Sequence, residues 1–278
     1  MIRKCLFPAA GYGTRFLPAT KSIPKEMLPI VNKPLIQYGV EEAVEAGMHD
    51  IAIVTGKGKH AIEDLFDRNP VLEAAVAGTD KEALLGQTNR LIDTCTFSYT
   101  RQKQMRGLGD AILTGEPLIG DQPFGVVLAD DLCTSADGHP GVLAQMVEIF
   151  GRYRCSIVAI EEVDPAETSK YGVIAGVEIE PGLYHVKEMV EKPDPEEAPS
   201  NLAIIGRYLL TPEIFDWLRR TPPGKGGEIQ ITDALRAQAR EGRVLAWRFH
   251  GRRFDCGSVH GFVEATNHFF QEVFSADD

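Results

Sequence analysis

Short apolar runs alternate with segments of helical periodicity along the whole chain, and this alternation restricts the chain to α/β folds. The runs KCLF and DIAIVTG are typical of buried strands. Between them lies a predicted amphipathic helix whose apolar face consists of Leu35, Ile36, Val40, Ala43 and Val44. Gly47 suits the C-terminal cap of this helix. A strand, a helix and a strand at this spacing predict a βαβ unit in a parallel sheet.

The second half of the chain contains more predicted strands and fewer predicted helices. The runs SIVAIEEV, YGVIAGVEI, YHVKEMV and NLAIIGRYLL follow one another with little helix between them, which indicates antiparallel or mixed pairing. Thr211 and Pro212 match the cap and the first position of a helix. Amphipathic helices are predicted in EIQITDALRAQAREG and SVHGFVEATNHFFQEVF. We therefore predict one domain over residues 1–278, with a mixed central sheet flanked by helices and a subordinate lobe over about residues 155–255.

The charge and the cysteines limit the partners and the compartment. The net charge of −11 argues against nucleic acid or an anionic membrane as the main partner, because both favour clustered Lys and Arg. No apolar run is long enough for a membrane span, and the N-terminal residues lack the features of a signal peptide. The five cysteines are scattered singly, which is typical of reduced thiols. We expect a cytoplasmic protein.

The segment FPAAGYGTRFLPATKSIPKEMLP directly follows the first predicted strand and combines glycines, prolines and cations. Gly11 and Gly13 let backbone N–H groups approach a phosphate. A dinucleotide fingerprint needs a third glycine where Phe16 stands, and the prolines prevent a long helix. The cations of the segment are Arg15, Lys21 and Lys25. A stiff surface loop is the alternative, but the length of the loop and its position after a strand favour phosphate binding.

Two aspartates end the run VVLADD. Asp130 and Asp131 stand at the carboxyl end of a predicted strand, where carboxylates commonly hold Mg²⁺ beside a polyphosphate. The alternative is that the two side chains only end the strand and cap the next turn. In the run RFDCGS, Asp255 is either a second carboxylate for the same cation or part of the approach to the last helix.

Two further runs contain charged residues or glycines that suit ligand binding, although neither matches a known sequence motif. In MVEKP, Glu191 and Lys192 are predicted on opposite faces of a strand, and the alternative is an edge-strand charge pair. In RGLGDA, a flexible turn leads into a helix whose N-terminus is suited to an anion. The seven histidines show no metal-ligand spacing, and no Ser or Cys nucleophile motif is present.

Taken in order, these runs resemble one family. The blocks PAAGYGTRFLPATKSIPKEMLPIVNKPLIQY, QMRGLGDA, LADD, YGVI, VEKP, GEIQITDAL and FDCGS are similar to those of the bacterial UTP–glucose-1-phosphate uridylyltransferases, which belong to the sugar nucleotidyltransferases. The resemblance extends over nearly the whole chain and implies a Rossmann-like nucleotidyltransferase fold. It also implies a sugar-binding role for the lobe and a homodimer or homotetramer.

The resemblance further implies a reaction. The family joins the α-phosphorus of UTP to the phosphate of glucose 1-phosphate, which gives UDP-glucose and pyrophosphate with Mg²⁺ as cofactor. A sugar phosphate, whose second pKa is about 6, is already a dianionic nucleophile at pH 7. Catalysis then consists of positioning and electrostatic stabilisation, and it needs no general base.

The site residues follow from the matching blocks. The implied nucleotide-binding residues are Ala10, Gly11, Gly13, Thr14, Glu26, Gln102 and Gly107. Arg15 and Lys25 would neutralise the leaving pyrophosphate, while Asp130 and Asp255 would hold the metal. Lys192, as the third catalytic residue, would bind the phosphate of glucose 1-phosphate. The sugar hydroxyls would meet Gly172 and Glu191.

The base would be recognised by Ala10, Gly11 and Gln102. A glutamine amide presents a donor on one side and an acceptor on the other, so a freely rotating Gln102 suits uracil and cytosine equally. The fixed backbone groups of Ala10 and Gly11 are therefore expected to select the base.

Rival functions stay open, and the nearest is the same chemistry with dTTP or with another sugar phosphate. The glucose-1-phosphate thymidylyltransferases also begin with G-x-G-T-R, but they lack the continuation PATKSIPKEMLP. A non-catalytic regulatory subunit that binds nucleotide sugars is the rival from another class. Such a binder has no need of a cation at the leaving group, so the presence of Arg15, Lys25, Asp130 and Lys192 together favours the enzyme.

Overall fold

A nine-stranded mixed sheet forms the centre of the structure, a computed structural model that describes residues 2–274. The described chain has thirteen strands, of which nine form this sheet and four form two small two-stranded sheets. The strands are β1 (Lys4–Pro8), β2 (Pro29–Ile30), β3 (Lys33–Pro34), β4 (Asp50–Thr55), β5 (Thr96–Arg101), β6 (Phe124–Val127), β7 (Asp131–Ser135), β8 (Ser156–Glu162), β9 (Gly172–Glu180), β10 (Leu183–Glu191), β11 (Leu202–Leu210), β12 (Val244–Arg248) and β13 (Gly251–Asp255). The helices are α1 (Leu35–Glu45), α2 (His60–Leu65), α3 (Pro70–Val76), α4 (Glu82–Thr94), α5 (Leu108–Thr114), α6 (Glu116–Ile119), α7 (Val142–Tyr153), α8 (Ile214–Arg220), α9 (Ile231–Arg240) and α10 (Val259–Phe274).

The sheet has a parallel part and a mixed part. Its strand order is β5-β4-β1-β6-β11-β8-β12-β10-β9. The strands β5, β4, β1 and β6 run parallel, as the predicted βαβ unit requires. β11 runs antiparallel to β6 and β8, and β10 runs antiparallel to β12 and β9. The prediction of a mixed central sheet flanked by helices is therefore confirmed.

The sheet is buried on both faces, as expected when helices cover it. Successive residues of β1 point to opposite sides, so Phe7 belongs to one core cluster and Leu6 to the other. Strands of the predicted 155–255 lobe, including β8 and β12, pair within the same sheet as β1. The division into one domain and a subordinate lobe stays a prediction.

Several predicted boundaries differ from the structure by a few residues. The helix α1 is present, and Gly47 follows it with the positive φ of 84° that a C-terminal glycine adopts. The helix α8 begins at Ile214, so the predicted start at Pro212 is wrong. Thr211 instead accepts a hydrogen bond from the Gln238 side chain. The strand β6 ends at Val127, so Asp130 and Asp131 do not lie on the same strand.

A small two-stranded sheet carries two of the carboxylates beside the central sheet. β7 and β13 pair antiparallel, with Asp131 opposite Asp255. The helix α10 follows β13 directly and packs against the loop between β1 and β2, residues 9–28, which we call the opening loop. The rings of Phe16 in this loop and Phe262 in α10 meet edge to face at 5.5 Å. This contact links the last helix to the loop that follows β1.

All five cysteines are free thiols in the structure. Among residues 2–274, no helix combines the length and the apolar character that crossing a bilayer requires.

Candidate active site

The opening loop lies at the carboxyl ends of β1, β4, β5 and β6. It contains three short 3₁₀ turns, Thr14–Phe16, Ala19–Lys21 and Lys25–Met27, in agreement with the prediction that prolines exclude a long helix. Gly13 has a φ of 67°, and a Cβ at this position would lie 3.0 Å from Cβ of Lys25. A side chain at Gly13 would therefore be strained and would displace Lys25.

A cavity of about 400 Å³ lies beneath this loop. Its lining includes six of the seven predicted nucleotide-binding residues, namely Ala10, Gly11, Gly13, Thr14, Gln102 and Gly107. Lys25 and Asp130 line the same cavity. Lys21 is exposed and does not belong to the lining of this cavity or of the two cavities beside it, so only two of the three loop cations reach the site.

Glu26 is the predicted nucleotide-binding residue that does not line the cavity. Its side chain is buried and accepts a hydrogen bond of 2.6 Å from Lys59 Nζ through Oε2. Burial raises the pKa of Glu26 above its ordinary value, although Lys59 and Lys25 oppose this rise. The other carboxylate oxygen, Oε1, is buried and has no hydrogen-bond donor within residues 2–274.

The amide of Gln102 does not rotate freely, so that expectation is wrong. Nε2 of Gln102 donates to Asp110 Oδ2 at 2.8 Å and to the carbonyl oxygen of Gly107 at 3.2 Å. Both partners are acceptors, which assigns the two amide positions without ambiguity. Gln102 therefore presents an oriented amide to the cavity.

Charged groups converge at the edge of the first cavity. Lys25 Nζ donates to Asp130 Oδ2 at 2.6 Å. Gly257 has no side chain, and the position that its Cβ would occupy lies 2.9 Å from Asp130 Oδ2, 3.0 Å from Asp255 Oδ1 and 3.4 Å from Arg15 Nη1. Two carboxylates and one guanidinium thus surround a single point above the Gly257 backbone.

The pKa values of the two carboxylates move in opposite directions. Burial raises the pKa of Asp130, but Lys25 and Arg15 together lower it by more, so it lies below its ordinary value. Burial also raises the pKa of Asp255, and the neighbouring carboxylates Asp131 and Asp130 add to the rise while Arg253 opposes it. The pKa of Lys25 is raised despite burial, because Asp130 and Glu26 favour its charged form.

A second cavity of about 220 Å³ contains the predicted sugar-phosphate residues Gly172, Glu191 and Lys192. Thr232 Oγ1 donates to Glu191 Oε2 at 2.7 Å. A Cβ on Gly172 would lie 2.8 Å from Thr232 Oγ1, so a glycine is required at this close approach.

The prediction that Glu191 and Lys192 lie on opposite faces is wrong. β10 ends at Glu191, Lys192 has a φ of 47°, and its Nζ lies 3.4 Å from Glu191 Oε1.

A third cavity of about 550 Å³ joins the other two. Arg15, Asp130, Asp255 and Lys192 all line it, and Leu128 belongs to the lining of all three. The structure thus brings together the predicted catalytic, metal-binding and sugar-phosphate residues, which come from loops far apart in the sequence.

Arg253 lines this third cavity with a side chain that is only 7% exposed, and it was not among the predicted site residues. Arg253 donates to Asp131 Oδ1 through Nε at 2.7 Å and to Glu161 Oε1 through Nη1 at 2.6 Å. Asp131 accepts a further hydrogen bond from the backbone N–H of Gly206 at 2.6 Å. Arg253 lies two residues before Asp255 on β13, and this period-two spacing on a strand was the available signal.

The residues present fit a hard divalent cation. Mg²⁺ commonly uses one or two protein carboxylates and takes its remaining oxygen ligands from substrate phosphates and water. Asp130 Oδ2 and Asp255 Oδ1 approach one shared point, as such a pair requires. No cluster of three or more His, Cys, Asp or Glu side chains suited to a metal occurs within the described range 2–274.

Comparison with known proteins gives a consistent result. The family model described as nucleotidyl transferase matches residues 6–272. A UTP–glucose-1-phosphate uridylyltransferase of Pseudomonas aeruginosa is 65% identical over 274 residues, which cover 99% of this chain and 98% of that protein. These matches extend over nearly the full length of the chain.

Solved structures agree with this similarity. The structure of an apo UDP-glucose pyrophosphorylase has a TM-score of 0.96 and 62% identity, and the match covers 99% of this chain and 100% of the other. A UDP-glucose pyrophosphorylase complexed with UDP-glucose has a TM-score of 0.91 and 61% identity, with coverages of 98% and 100%. The predicted nucleotidyltransferase fold is therefore confirmed.

Proposed function

The chain belongs to the nucleotidyl transferase family, and we propose that it transfers the uridylyl group of UTP to glucose 1-phosphate and releases pyrophosphate. The convergence of Lys25, Arg15 and the two carboxylates between a cavity of about 400 Å³ and a smaller one of about 220 Å³ carries this proposal. A phosphate oxygen of glucose 1-phosphate forms a bond to the α-phosphorus of UTP. The bond from that phosphorus to the bridging oxygen of the leaving pyrophosphate breaks.

The first cavity takes the nucleotide in this proposal. Gly11, Gly13 and Thr14 offer backbone groups to the triphosphate, and Lys25 and Arg15 neutralise the charge that develops on the pyrophosphate. Glu26 does not line the cavity, and it stays in the proposed nucleotide-binding set because its charge favours the charged form of Lys25, which does line it.

The second cavity takes the acceptor. Lys192 lines both the second and the third cavity, a position from which its ammonium group reaches a phosphate that points toward the nucleotide. Glu191 and Gly172 then contact the sugar hydroxyls. The phosphate is already an anionic nucleophile, so these side chains orient it and reduce the repulsion between two anions.

We assign Asp130 and Asp255 as the protein ligands of Mg²⁺. When bound, the ion supplies positive charge beside the phosphate oxygens and reduces the repulsion between the two carboxylates. Lys25 donates to Asp130 and lowers its pKa, which keeps this carboxylate in the ionised form that a metal ligand requires.

Pyrophosphate release from the purified protein tests the proposed function. Glucose 1-phosphate is supplied with UTP or with dTTP, each in the presence of Mg²⁺ and of EDTA. Metal-dependent release with a clear preference for UTP is expected. Preference for dTTP would retain the chemistry and contradict the base assignment. No release with either nucleotide, together with UTP binding by calorimetry, would instead leave another sugar phosphate as the acceptor or the non-catalytic binder as the function.

We also propose that the protein is a cytoplasmic homodimer or homotetramer. The free cysteines suit a reducing compartment. The exposed side chains of Val259 and Val263 stand one turn apart on α10, which suits an apolar contact between copies. Light scattering coupled to size-exclusion chromatography gives the mass, and a monomer at micromolar concentration would contradict the oligomer.

A further inference from the structure

Asp110 lies behind the base-binding residue Gln102 and is only 4% exposed. It occupies the first turn of α5 and contacts two side chains with its two carboxylate oxygens. Oδ2 accepts the hydrogen bond from Gln102 Nε2 at 2.8 Å. Oδ1 accepts from Arg106 through Nε at 3.1 Å and through Nη2 at 2.6 Å. All three of these contacts therefore use Asp110 as a hydrogen-bond acceptor.

The orientation of the Gln102 amide follows from these contacts. Asp110 Oδ2 and the Gly107 carbonyl oxygen both require a donor, so Nε2 faces them and Oε1 is directed to the other side. Within the described chain, no donor reaches Oε1, and Gln102 lines the first cavity. Gln102 therefore presents an acceptor, Oε1, to the cavity, and its amide cannot rotate to present the donor Nε2 in its place.

A fixed acceptor distinguishes the two common pyrimidine bases. Uracil carries a hydrogen on N3 between two carbonyl oxygens, whereas cytosine has a lone pair on N3 and an amino group on C4. In the proposed nucleotide complex, contacts to the ribose and the phosphates would hold the ring in one position, with one edge atom of the base opposite Oε1. An acceptor opposite N3 pairs with the N3–H of uracil and repels the lone pair of cytosine.

We propose that Asp110 is a positioning residue that sets the polarity of Gln102 and thereby makes the site select UTP over CTP. The inference rests on the proposed function, because it assigns the first cavity to the nucleotide. Asp110 acts through Gln102 and does not itself contact the base. The backbone N–H groups of Ala10 and Gly11, which make no hydrogen bond within residues 2–274, can donate to a flanking carbonyl oxygen of uracil.

The variant Asp110→Asn tests the inference. An amide at this position offers either a donor or an acceptor to Gln102, so the Gln102 amide can rotate and only the longer contact with Gly107 still opposes rotation. The ratio of kcat/KM for UTP to that for CTP is expected to fall at least about tenfold. The KM for glucose 1-phosphate and the thermal midpoint are expected to stay near their wild-type values.

Two comparisons separate this role from a general structural one. Arg106→Gln is the matched control, because Arg106 is 56% exposed and its removal leaves the Asp110 acceptor in place, so the UTP/CTP ratio should change less than about twofold. Asp110→Asn is also made in the Gln102→Ala background, where it should change the ratio no further. Should Asp110→Asn unfold, Asp110→Ser also removes the fixed polarity, since a hydroxyl both donates and accepts, and the same loss of preference is expected.

Each outcome supports or overturns the inference. An unchanged ratio in Asp110→Asn, an equal effect in the Gln102→Ala background, or a wild-type protein that uses CTP as well as UTP would overturn it. In these cases the wild-type protein still releases pyrophosphate from UTP, so the proposed function stands. A wild-type protein that is inactive with UTP would contradict the proposed function, and the inference would fail with it.

Discussion

Lys25 Nζ lies 2.6 Å from Asp130 Oδ2, so the cation assigned to the leaving pyrophosphate contacts the carboxylate assigned to the metal. The two residues are 105 positions apart in the chain and meet where the opening loop crosses the end of β6. The pair keeps Asp130 ionised and holds Lys25 at the edge of the nucleotide cavity. This single ion pair thus positions both the proposed metal ligand and the cation proposed to stabilise the leaving pyrophosphate.

Replacing Lys25 by glutamine should lower kcat for pyrophosphate release about 10²- to 10³-fold, the usual loss when one preorganised donor to developing charge is removed. Lys21→Gln is the matched control, because Lys21 belongs to the same loop but is exposed and lies outside the three cavities. Steady-state kinetics with saturating substrates measure both variants. A Lys25→Gln enzyme within a few-fold of wild type would show that another cation stabilises the leaving group.

The variant Asp130→Asn should lower turnover at every practical Mg²⁺ concentration, because the amide replaces a charged oxygen ligand by a neutral one. Asp137→Asn serves as the control, since Asp137 is exposed in the loop after β7. A Mg²⁺ titration of activity distinguishes weaker metal binding from a loss at saturation. Wild-type activity and metal dependence in Asp130→Asn would place the metal elsewhere.

Removal of the Lys192 ammonium group should affect the two substrates unequally. In Lys192→Ala, the KM for glucose 1-phosphate is expected to rise by about tenfold or more and that for UTP much less, because one charge-assisted hydrogen bond to the sugar phosphate is lost. Lys187→Ala removes an exposed lysine of the same strand β10 and should change neither KM. An equal rise of both KM values in Lys192→Ala argues against the assignment.

The buried ion pair between Arg207 and Glu42 should contribute strongly to stability. The guanidinium of Arg207 is 1% exposed, donates to both carboxylate oxygens of Glu42, and also donates to the carbonyl oxygens of Leu128 and Gly206. Arg207→Leu leaves the Glu42 carboxylate, whose side chain is only 10% exposed, without its cationic partner, and we expect a loss of about 3–5 kcal/mol in the free energy of unfolding.

Denaturant unfolding measures this loss, and an exposed ion pair supplies the control. Arg248 pairs with Glu162 on the neighbouring strands β12 and β8, but its side chain is 45% exposed, so Arg248→Leu should cost about 1 kcal/mol or less. The double variant Arg207→Leu with Glu42→Leu should recover part of the stability. Equal losses in the buried and exposed variants would contradict this account.

Thiols that are partly or fully buried should react slowly in the native protein. Burial raises the pKa of Cys155 to about 11 and that of Cys133 and Cys256 to about 12. A raised thiol pKa lowers the thiolate fraction at pH 8, and for Cys155 the fraction falls roughly 100-fold relative to a thiol of pKa about 9. Alkylation with iodoacetamide, followed by peptide mass spectrometry, should therefore accelerate with pH between 8 and 10.

Chemically denatured protein is the reference for this experiment, because all five thiols then have ordinary pKa values and should react rapidly. Fast modification of Cys133 or Cys256 in the native protein at pH 8 would mean that β7 or the segment after β13 opens readily.

The chain sequence alone determined the features that depend on neighbouring residues. The apolar face of α1, the glycine that follows it and the strands on either side were predicted, because each depends on a few consecutive side chains and on backbone preferences. The absence of a long helix after β1 followed in the same way from its prolines. The glycines and cations of the opening loop also indicated a binding site for an anion.

Tertiary structure decided how the functional groups meet. The sequence placed Glu191 and Lys192 on opposite faces, but the chain leaves the strand at Lys192 with a φ of 47° and both side chains reach one cavity. The Gln102 amide was expected to rotate, and only its contact with Asp110 orients it. Arg253 contacts Asp131 across 122 positions, a pairing that no local pattern contains. These contacts depend on the sheet order, which brings loops that are distant in the sequence to one edge of the sheet. Preferences of neighbouring residues do not determine which distant loops meet.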